Sequence, residues 1–184
     1  MVPDYKHRNG KWACWSGPVG GQVLTVSGSL YSNMKARCKD ITRNPSYSGC
    51  EILFGDFQDF ADWHTQQVGY GLGYHLDKDI LSNGAKIYSR ENCALIPQAL
   101  NNFLCTPAKL GGCPQGVRKS GSKYISTISL DSVSTYLGTY CTLEQAHSAY
   151  KVAKKGQALV WADRLETYYS VNAKVPEALR KMYW

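Results

Sequence analysis

The segment 74–104 begins with alternating polar and apolar side chains and then changes period. Three of its polar residues fall on one face of a predicted strand: His75, Asp77 and Asp79. Residues 82–84, Ser-Asn-Gly, favour a tight turn, because Asn and Gly tolerate positive φ. Residues 86–88 predict a second short strand, and residues 89–92 predict the entry to a helix that carries Asn101. The pattern therefore predicts strand, turn, strand and helix, with an acidic face suited to a divalent ion.

The part of the chain before this segment predicts a small mixed unit of helices and strands. Residues 1–28 are first polar and basic and then rich in glycine, which predicts a loose arm with a short strand at 22–26. From Ser29 onward apolar side chains recur at helical spacing. Residues 51–67 predict a short strand and then a helix whose aromatic side chains face a core.

The last third of the chain has a different pattern. Two prolines and two glycines interrupt residues 106–115, which predicts a linker. Residues 116–140 then predict three short strands with alternating faces, and Thr142 is a good N-cap for a helix that follows them. Small side chains recur along that helix and allow it to lie close to a thin sheet, whose other face stays polar and open. Residues 157–184 also have a helical pattern.

Charge and aromatic content suggest a polyanionic partner. The chain of 184 residues has a formal net charge of +7, 13 tyrosines and 5 tryptophans. Residues 1–111 hold 11 basic and 9 acidic side chains, whereas residues 112–184 hold 10 and 5, so most of the excess lies in the last third. An apolar content of 43% argues against disorder, and no apolar run approaches the ~18 residues of a membrane span.

The seven cysteines show no CxxC spacing, and no signal peptide precedes them, which favours a reducing compartment. A zinc site is one alternative, with Cys38, Cys50 and Cys93 as ligands together with His75 or His64. Their scattered separations are not those of a zinc site, so we expect no zinc and interpret most of the cysteines as small buried hydrophobic residues.

Several motifs in the first half resemble the ββα-metal finger of phage HNH homing endonucleases. LDKDI at 76–80, YSRENC at 88–93 and the paired Asn at 101–102 are similar to the family's LDRID, GNYSPENCRW and QNN. YSNMKARC, SYSGCEI and FQDFADW, which start at residues 31, 46 and 57, are similar to the segment that precedes the finger in those proteins. The resemblance implies a catalytic and metal-binding set in four roles: Asp77 as metal ligand, Lys78 at the general-base position, Asn92 as the central Asn of the loop, and Asn101 as the ligand from the helix.

The resemblance breaks down at Lys78, because the family has a histidine at this position. A lysine near its ordinary pKa of about 10.4 is protonated at neutral pH and cannot take a proton from water. His75 is the nearby imidazole that could replace the missing base, and Asp79 could supplement Asp77 and Asn101 as a ligand. We therefore expect weak binding of Mg²⁺ or Mn²⁺ and slow or absent cutting, and whether the chain is an enzyme stays open.

The last third resembles the Apetala-type (ethylene-response-factor) DNA-binding domain, which is also found in phage HNH proteins. GVR at 116–118, KYISTI at 123–128, YLGTY at 136–140 and TLEQAHSAY at 142–150 match its motifs. In that family the open sheet face enters the major groove of double-stranded DNA. The resemblance implies the following DNA-contacting residues: Gln115, Arg118, Lys119, Ser120, Lys123, Thr127, Ser129, Ser134 and Tyr136. Plant members commonly carry Arg at four of these positions, namely 115, 120, 129 and 134, so we expect weaker or less selective binding here.

Together these patterns predict an α+β protein with an HNH-like finger domain at 1–105, a linker at 106–115, and a small three-stranded antiparallel sheet packed on a helix at 116–184. Two function classes remain open. One is a double-stranded DNA-binding protein of the phage HNH type with weak or lost nicking, located in the cytoplasm of the bacterial host. The other is a non-catalytic protein that blocks or regulates a DNA-processing or host partner. Neither class requires a membrane.

Overall fold

The chain contains helices and small, mostly antiparallel sheets, in agreement with the predicted α+β class. The computed structural model divides into two units, Met1–Ile96 and Pro97–Trp184. The described residues are 1–19, 21–82, 84–105, 112–130 and 133–182. Asn83 of the predicted turn and residues 106–111 of the predicted linker lie outside them. The predicted first domain ends at 105, whereas the first unit ends at Ile96.

The first unit contains two longer helices and three pairs of short strands. Its elements are β1 (Trp15–Ser16), β2 (Val23–Leu24), α1 (Val26–Lys39), β3 (Glu51–Ile52), α2 (Phe57–Thr65), β4 (His75–Asp77), β5 (Ile87–Tyr88) and β6 (Ala94–Ile96). β1 pairs with β2 and β4 with β6, both antiparallel, while β3 and β5 run parallel. The pattern correctly predicts α1, β3 and α2.

Local capping and aromatic packing explain the two helices of the first unit. The Thr25 side chain caps α1 by accepting a hydrogen bond from the Gly28 amide, and Asp56 caps α2 in the same way. Their buried faces meet in a cluster that includes Met34 of α1 and Phe60 of α2. The predicted aromatic face of α2 is therefore confirmed.

The N-terminal arm is ordered, so the prediction of a loose arm is wrong. Val2 pairs with Thr25 in a parallel bridge, and Lys6 pairs with Trp12 in an antiparallel bridge. The Asp4 side chain, only 1% exposed, lies beside the start of α1. Contacts that are distant in sequence fasten this segment, and local composition does not reveal them.

Asp4 is the end of a buried hydrogen-bonded chain. Its carboxylate accepts hydrogen bonds from the Ser27 amide and hydroxyl, both at 2.8 Å, and from the Tyr70 hydroxyl at 3.0 Å. Ser27 Oγ lies 2.6 Å from His64 Nδ1. Since the serine proton is given to Asp4, the His64 Nδ1 must carry its own proton and donate it to Ser27 Oγ. This order of donors fixes the tautomer of the ring, with Nδ1 protonated.

The predicted strand–turn–strand–helix order holds only in part, because a third strand, β6, lies between β5 and the helix. β4 ends at Asp77, so Asp79 does not continue its face. β5 pairs with β3, and the antiparallel partner of β4 is β6, a buried apolar run where the pattern predicts a helix. The helix that follows, α3 (Gln98–Leu104), begins after Pro97 and has only 7 residues. The proline sets this boundary because its fixed φ suits the start of a helix and interrupts a strand.

The second unit starts with α3 and contains the predicted sheet and helix. Its other elements are β7 (Val117–Ser120), β8 (Lys123–Leu130), β9 (Val133–Tyr140), α4 (Leu143–Tyr168) and α5 (Lys174–Lys181). The strands form an antiparallel sheet in the order β7-β8-β9. Thr142 caps α4, as the sequence predicts, by accepting a hydrogen bond from the Gln145 amide.

The sheet packs closely on α4, and α4 is longer than the pattern suggests. Gly116 has φ +77°, and an added Cβ would lie only 1.9 Å from Tyr150 Cδ2, so no other residue fits there. Toward its end α4 packs on α5, where Arg180 binds both Glu166 and Asp163. α4 therefore runs unbroken for 26 residues and supports the sheet with its first half and α5 with its second.

Candidate nucleic-acid interface and finger segment

The open face of the β7–β9 sheet carries most of the residues predicted to contact DNA. Strand pairing aligns them in cross-strand rows: Ser120 with Lys123, Arg118 with Ile125 and Thr139, Thr127 with Tyr136, and Ser129 with Ser134. Val117, Ser126 and Ile128 occupy the opposite pleat and are buried. The alternation along β8 therefore separates a packed face from an open one, as predicted.

Two of the predicted DNA-contacting residues lie elsewhere. Lys119 follows Arg118 and falls in the opposite pleat, across from Tyr124, which packs against the core formed with Ala146. Gln115 precedes β7, and its side-chain amide donates a hydrogen bond of 3.4 Å to the Cys105 carbonyl. The structure thus places seven of the nine side chains on the open face and these two outside it.

The open face is positively charged and polar. β7, β8 and β9 contain no Asp or Glu, and Arg118 and Lys123 are exposed on this face. Tyr136 is 62% exposed, and its hydroxyl lies 2.8 Å from Thr139 Oγ1. Cations, hydroxyl groups and an exposed ring are groups that proteins use to bind phosphates and base edges.

The finger segment is the name used here for residues 74–104, which carry the resemblance to the HNH finger. In this segment Asp77 is buried at the end of β4 and shapes the turn that follows. Its Oδ1 accepts hydrogen bonds from the amides of Asp79, at 3.0 Å, and Ile80, at 2.8 Å. Burial raises the pKa of Asp77 above its ordinary value, although these two amide hydrogen bonds oppose the shift. Asp77 Oδ1 is therefore already engaged as a hydrogen-bond acceptor that holds the backbone of the turn.

Lys78 is buried and charged. Its Nζ lies 2.5 Å from Asp79 Oδ1, 5.2 Å from the centre of the Tyr47 ring and 5.8 Å from that of Tyr88. Burial lowers the pKa of Lys78, but the hydrogen bond to Asp79, the negative charge of Asp79 and smaller contributions from Cys50 and Tyr47 outweigh burial and hold the pKa above its ordinary value. An ammonium group held in this way cannot serve as a general base.

The other predicted site residues lie on β4, on the loop before β6 and on α3. His75 is half-buried on β4, on the same strand face as Asp77. Asn92 lies in the loop before β6, and its amide donates a hydrogen bond of 3.2 Å to Ser89 Oγ. Asn101 lies on α3, in the second unit, whereas Asp77 and Asp79 lie in the first.

The donors of the finger segment form a poor site for a divalent ion. Mg²⁺ and Mn²⁺ prefer several oxygen ligands, but the Asp79 carboxylate is paired with Lys78, and Asp77 already accepts two amide hydrogen bonds. Within the described ranges no three His, Cys, Asp or Glu side chains gather as a metal site would require. These residues, as arranged, do not fit a tightly held divalent ion.

Three cysteines of the first unit, Cys38, Cys50 and Cys93, pack in the cluster that contains Met34 and Phe60. Burial raises the pKa of Cys50 and of Cys93 to about 12, and for Cys50 a contact with Cys38 adds to the shift. Without a metal, both groups are therefore protonated thiols at neutral pH.

Sequence reasoning missed the groups that surround Lys78 and the chain that ends at Asp4. Tyr47 and Tyr88 come from separate segments, and only the number of tyrosines in the chain hints at them. Ser27 and His64 carry no local signal of their pairing, because 37 positions separate them.

Neither a search of the helices for membrane spans nor comparisons with known proteins assign a function to the chain. Among the described residues no helix is long and apolar enough to cross a membrane. The chain matches no protein-family model, no curated protein and no solved structure.

Proposed function

We propose that this protein binds double-stranded DNA through the open face of its three-stranded sheet. The observation that carries the proposal is the face itself, where Arg118, Lys123 and Tyr136 are exposed on strands that contain no carboxylate. A flat polar face that a helix supports from behind can enter a groove, and its cations gain binding free energy by releasing counterions from DNA. The loss of arginines relative to plant Apetala-type domains favours modest sequence selectivity.

The proposal has a second part: the protein is of the phage HNH type but no longer cuts DNA efficiently. The surroundings of Lys78 in the finger segment support this part. The charged state of Lys78 removes the general base at the family's position, and its pairing with Asp79 occupies a carboxylate that could otherwise help to bind a metal. In this proposal the protein occupies DNA in the cytoplasm of a bacterial host, and the finger contributes little or no hydrolysis.

Charge reversal on the open face tests the DNA-binding proposal. Lys123→Glu is expected to weaken binding to a duplex about tenfold, because one cation is lost and a carboxylate is placed against phosphates. Lys119→Glu changes the charge equally but in the opposite pleat, and is expected to change affinity less than about threefold. Fluorescence anisotropy with a labelled duplex at two salt concentrations measures both.

Equal losses in the two variants would show that net charge, and not the open face, governs binding. Absence of duplex binding by the unmodified protein at low salt would overturn the proposal and favour the alternative, a protein that blocks or regulates another protein.

The finger segment is tested by a nicking assay on supercoiled plasmid. The unmodified protein is expected to leave the plasmid supercoiled in Mg²⁺ and in Mn²⁺, because Lys78 is protonated and the carboxylates beside it are engaged. An active HNH nuclease, assayed in parallel, controls for the substrate and the ions. Strong nicking that His75→Ala abolishes would contradict this expectation and identify His75 as the base.

A further inference from the structure

A short basic hairpin projects from the first unit at residues 5–13. The His7 amide donates to the Lys11 carbonyl at 2.8 Å, and the Ala13 amide donates to the Tyr5 carbonyl at 2.9 Å. Arg8, Asn9 and Gly10 form the three-residue loop between these arms, and Gly10 takes the positive φ of +78° that such a loop requires at its end.

The hairpin is fastened to α2 along its second arm. The Trp12 amide donates to Gln58 Oε1 at 2.7 Å, and Gln58 Nε2 donates back to the Trp12 carbonyl at 3.0 Å. The Trp12 indole also donates to Asp62 at 2.7 Å, and Lys6 Nζ lies 4.6 Å from the centre of the Trp12 ring. These contacts fix the direction of the loop, so little conformational entropy is lost when it binds a ligand.

The charge at the loop is uncompensated. Lys6 lies 3.7 Å from Asp62, which partly neutralises it. Arg8 and Lys11 are exposed, and within the described part of the chain neither side chain makes an ion pair or a hydrogen bond. One free cation therefore lies in a narrow loop and a second directly after it, on a rigid support.

The chemistry of the loop selects a polyanion over a protein partner. Protein interfaces are anchored by arginine together with aromatic side chains that become buried, and the sequence Arg8-Asn9-Gly10-Lys11 offers no aromatic or aliphatic side chain beside Arg8. Long cationic side chains on a thin loop match a phosphate backbone, and phosphate contacts position a protein on nucleic acid without reading its sequence.

We propose that this hairpin is a second DNA contact, which holds phosphates through Arg8 and Lys11 independently of sequence. The inference rests on the proposed DNA-binding function for its ligand, but it concerns residues in the other unit and has its own test. It also makes a quantitative prediction, because each lost phosphate contact changes the salt dependence of binding by a known amount.

The test compares two double variants of the full-length protein. Arg8→Ala with Lys11→Ala is expected to lower duplex affinity about tenfold at moderate salt, and to reduce the slope of log affinity against log salt by about 1.8, which is about 0.9 for each contact. The loss should be equal on two duplexes of unrelated sequence. Lys39→Ala with Lys86→Ala removes two exposed cations from elsewhere in the same unit and is expected to leave the slope nearly unchanged. Circular dichroism verifies that both variants fold.

Two results would overturn the inference while leaving the proposed function intact. One is an unchanged slope for the hairpin variant when the unmodified protein binds DNA, and the other is an equal loss in the control variant. A loss confined to single-stranded DNA would also overturn it. If the unmodified protein binds no DNA, the proposed function fails and the hairpin contact fails with it.

Discussion

The Asp4→Ala variant is expected to lose about 3–5 kcal/mol of unfolding free energy in the first unit. The Asp4 carboxylate is almost completely buried and accepts hydrogen bonds from the Ser27 amide, the Ser27 hydroxyl and the Tyr70 hydroxyl. Truncation leaves the two donors of the buried Ser27 and the half-buried Tyr70 hydroxyl without this acceptor, and hydrogen bonds to a charged group contribute more than neutral ones. The N-terminal arm also loses one of its attachments to the start of α1.

Amide hydrogen exchange in α1 and α2 measures this effect on the first unit alone. Glu51→Ala, which removes an exposed carboxylate from the same unit, is the control and is expected to change the free energy by less than about 0.5 kcal/mol. If exchange in the Asp4 variant matches that in the control, the buried chain does not support the arm.

The burial of Asp4 is a feature that the sequence alone does not predict. Its partners Ser27 and Tyr70 lie 23 and 66 positions away, and a lone aspartate in a basic, polar stretch has no periodicity that indicates burial. The pattern therefore predicts a loose arm, while tertiary hydrogen bonds determine an ordered one. Long-range polar pairing of this kind cannot be inferred from one sequence without the fold.

The predictions that succeeded rest on local physics. Thr142 caps α4, and the period-two alternation in β8 separates the buried Ser126 and Ile128 from the exposed Lys123 and Ser129. Each of these features depends on neighbours within a few positions along the chain. The open face was therefore predictable residue by residue, except that Lys119 belongs to the other pleat and Gln115 precedes the strand.

The finger segment shows the limit for short apolar runs. Residues 93–96 are all buried, and four apolar residues fit a buried strand as well as the first turn of a helix. Only the pairing of β6 with β4 decides between the two. Lys78 was recognisable as an unusual residue from its position, but the two tyrosine rings and Asp79 that hold its charge become visible only in the folded chain.

The buried His64 is expected to make the first unit less stable as the pH falls from about 6.5 to about 4. Burial, the larger influence, lowers the pKa of His64 to about 4, although the charge of Asp4 opposes this shift. In the unfolded chain the ring titrates near its ordinary pKa of about 6.5. Between these values the unfolded state binds a proton that the folded state does not, so acid favours unfolding. At ~1.4 kcal/mol per pKa unit, the loss reaches about 3 kcal/mol.

The measurement is the free energy of unfolding of the first unit at several pH values, and its design follows from the tautomer. Because His64 Nδ1 donates to Ser27 Oγ, His64→Asn, whose amide nitrogen is bonded to Cγ as Nδ1 is, can retain a neutral donor at this position while removing the titrating group. This variant is expected to lose most of the pH dependence between 4 and 6.5, because no proton is taken up there on unfolding. His7→Asn removes an exposed imidazole from the same unit and should retain that dependence. Identical pH profiles for the two variants would show that the buried ring does not cause the pH dependence of the unfolding free energy. The two variants differ only in whether the histidine that is removed is buried or exposed.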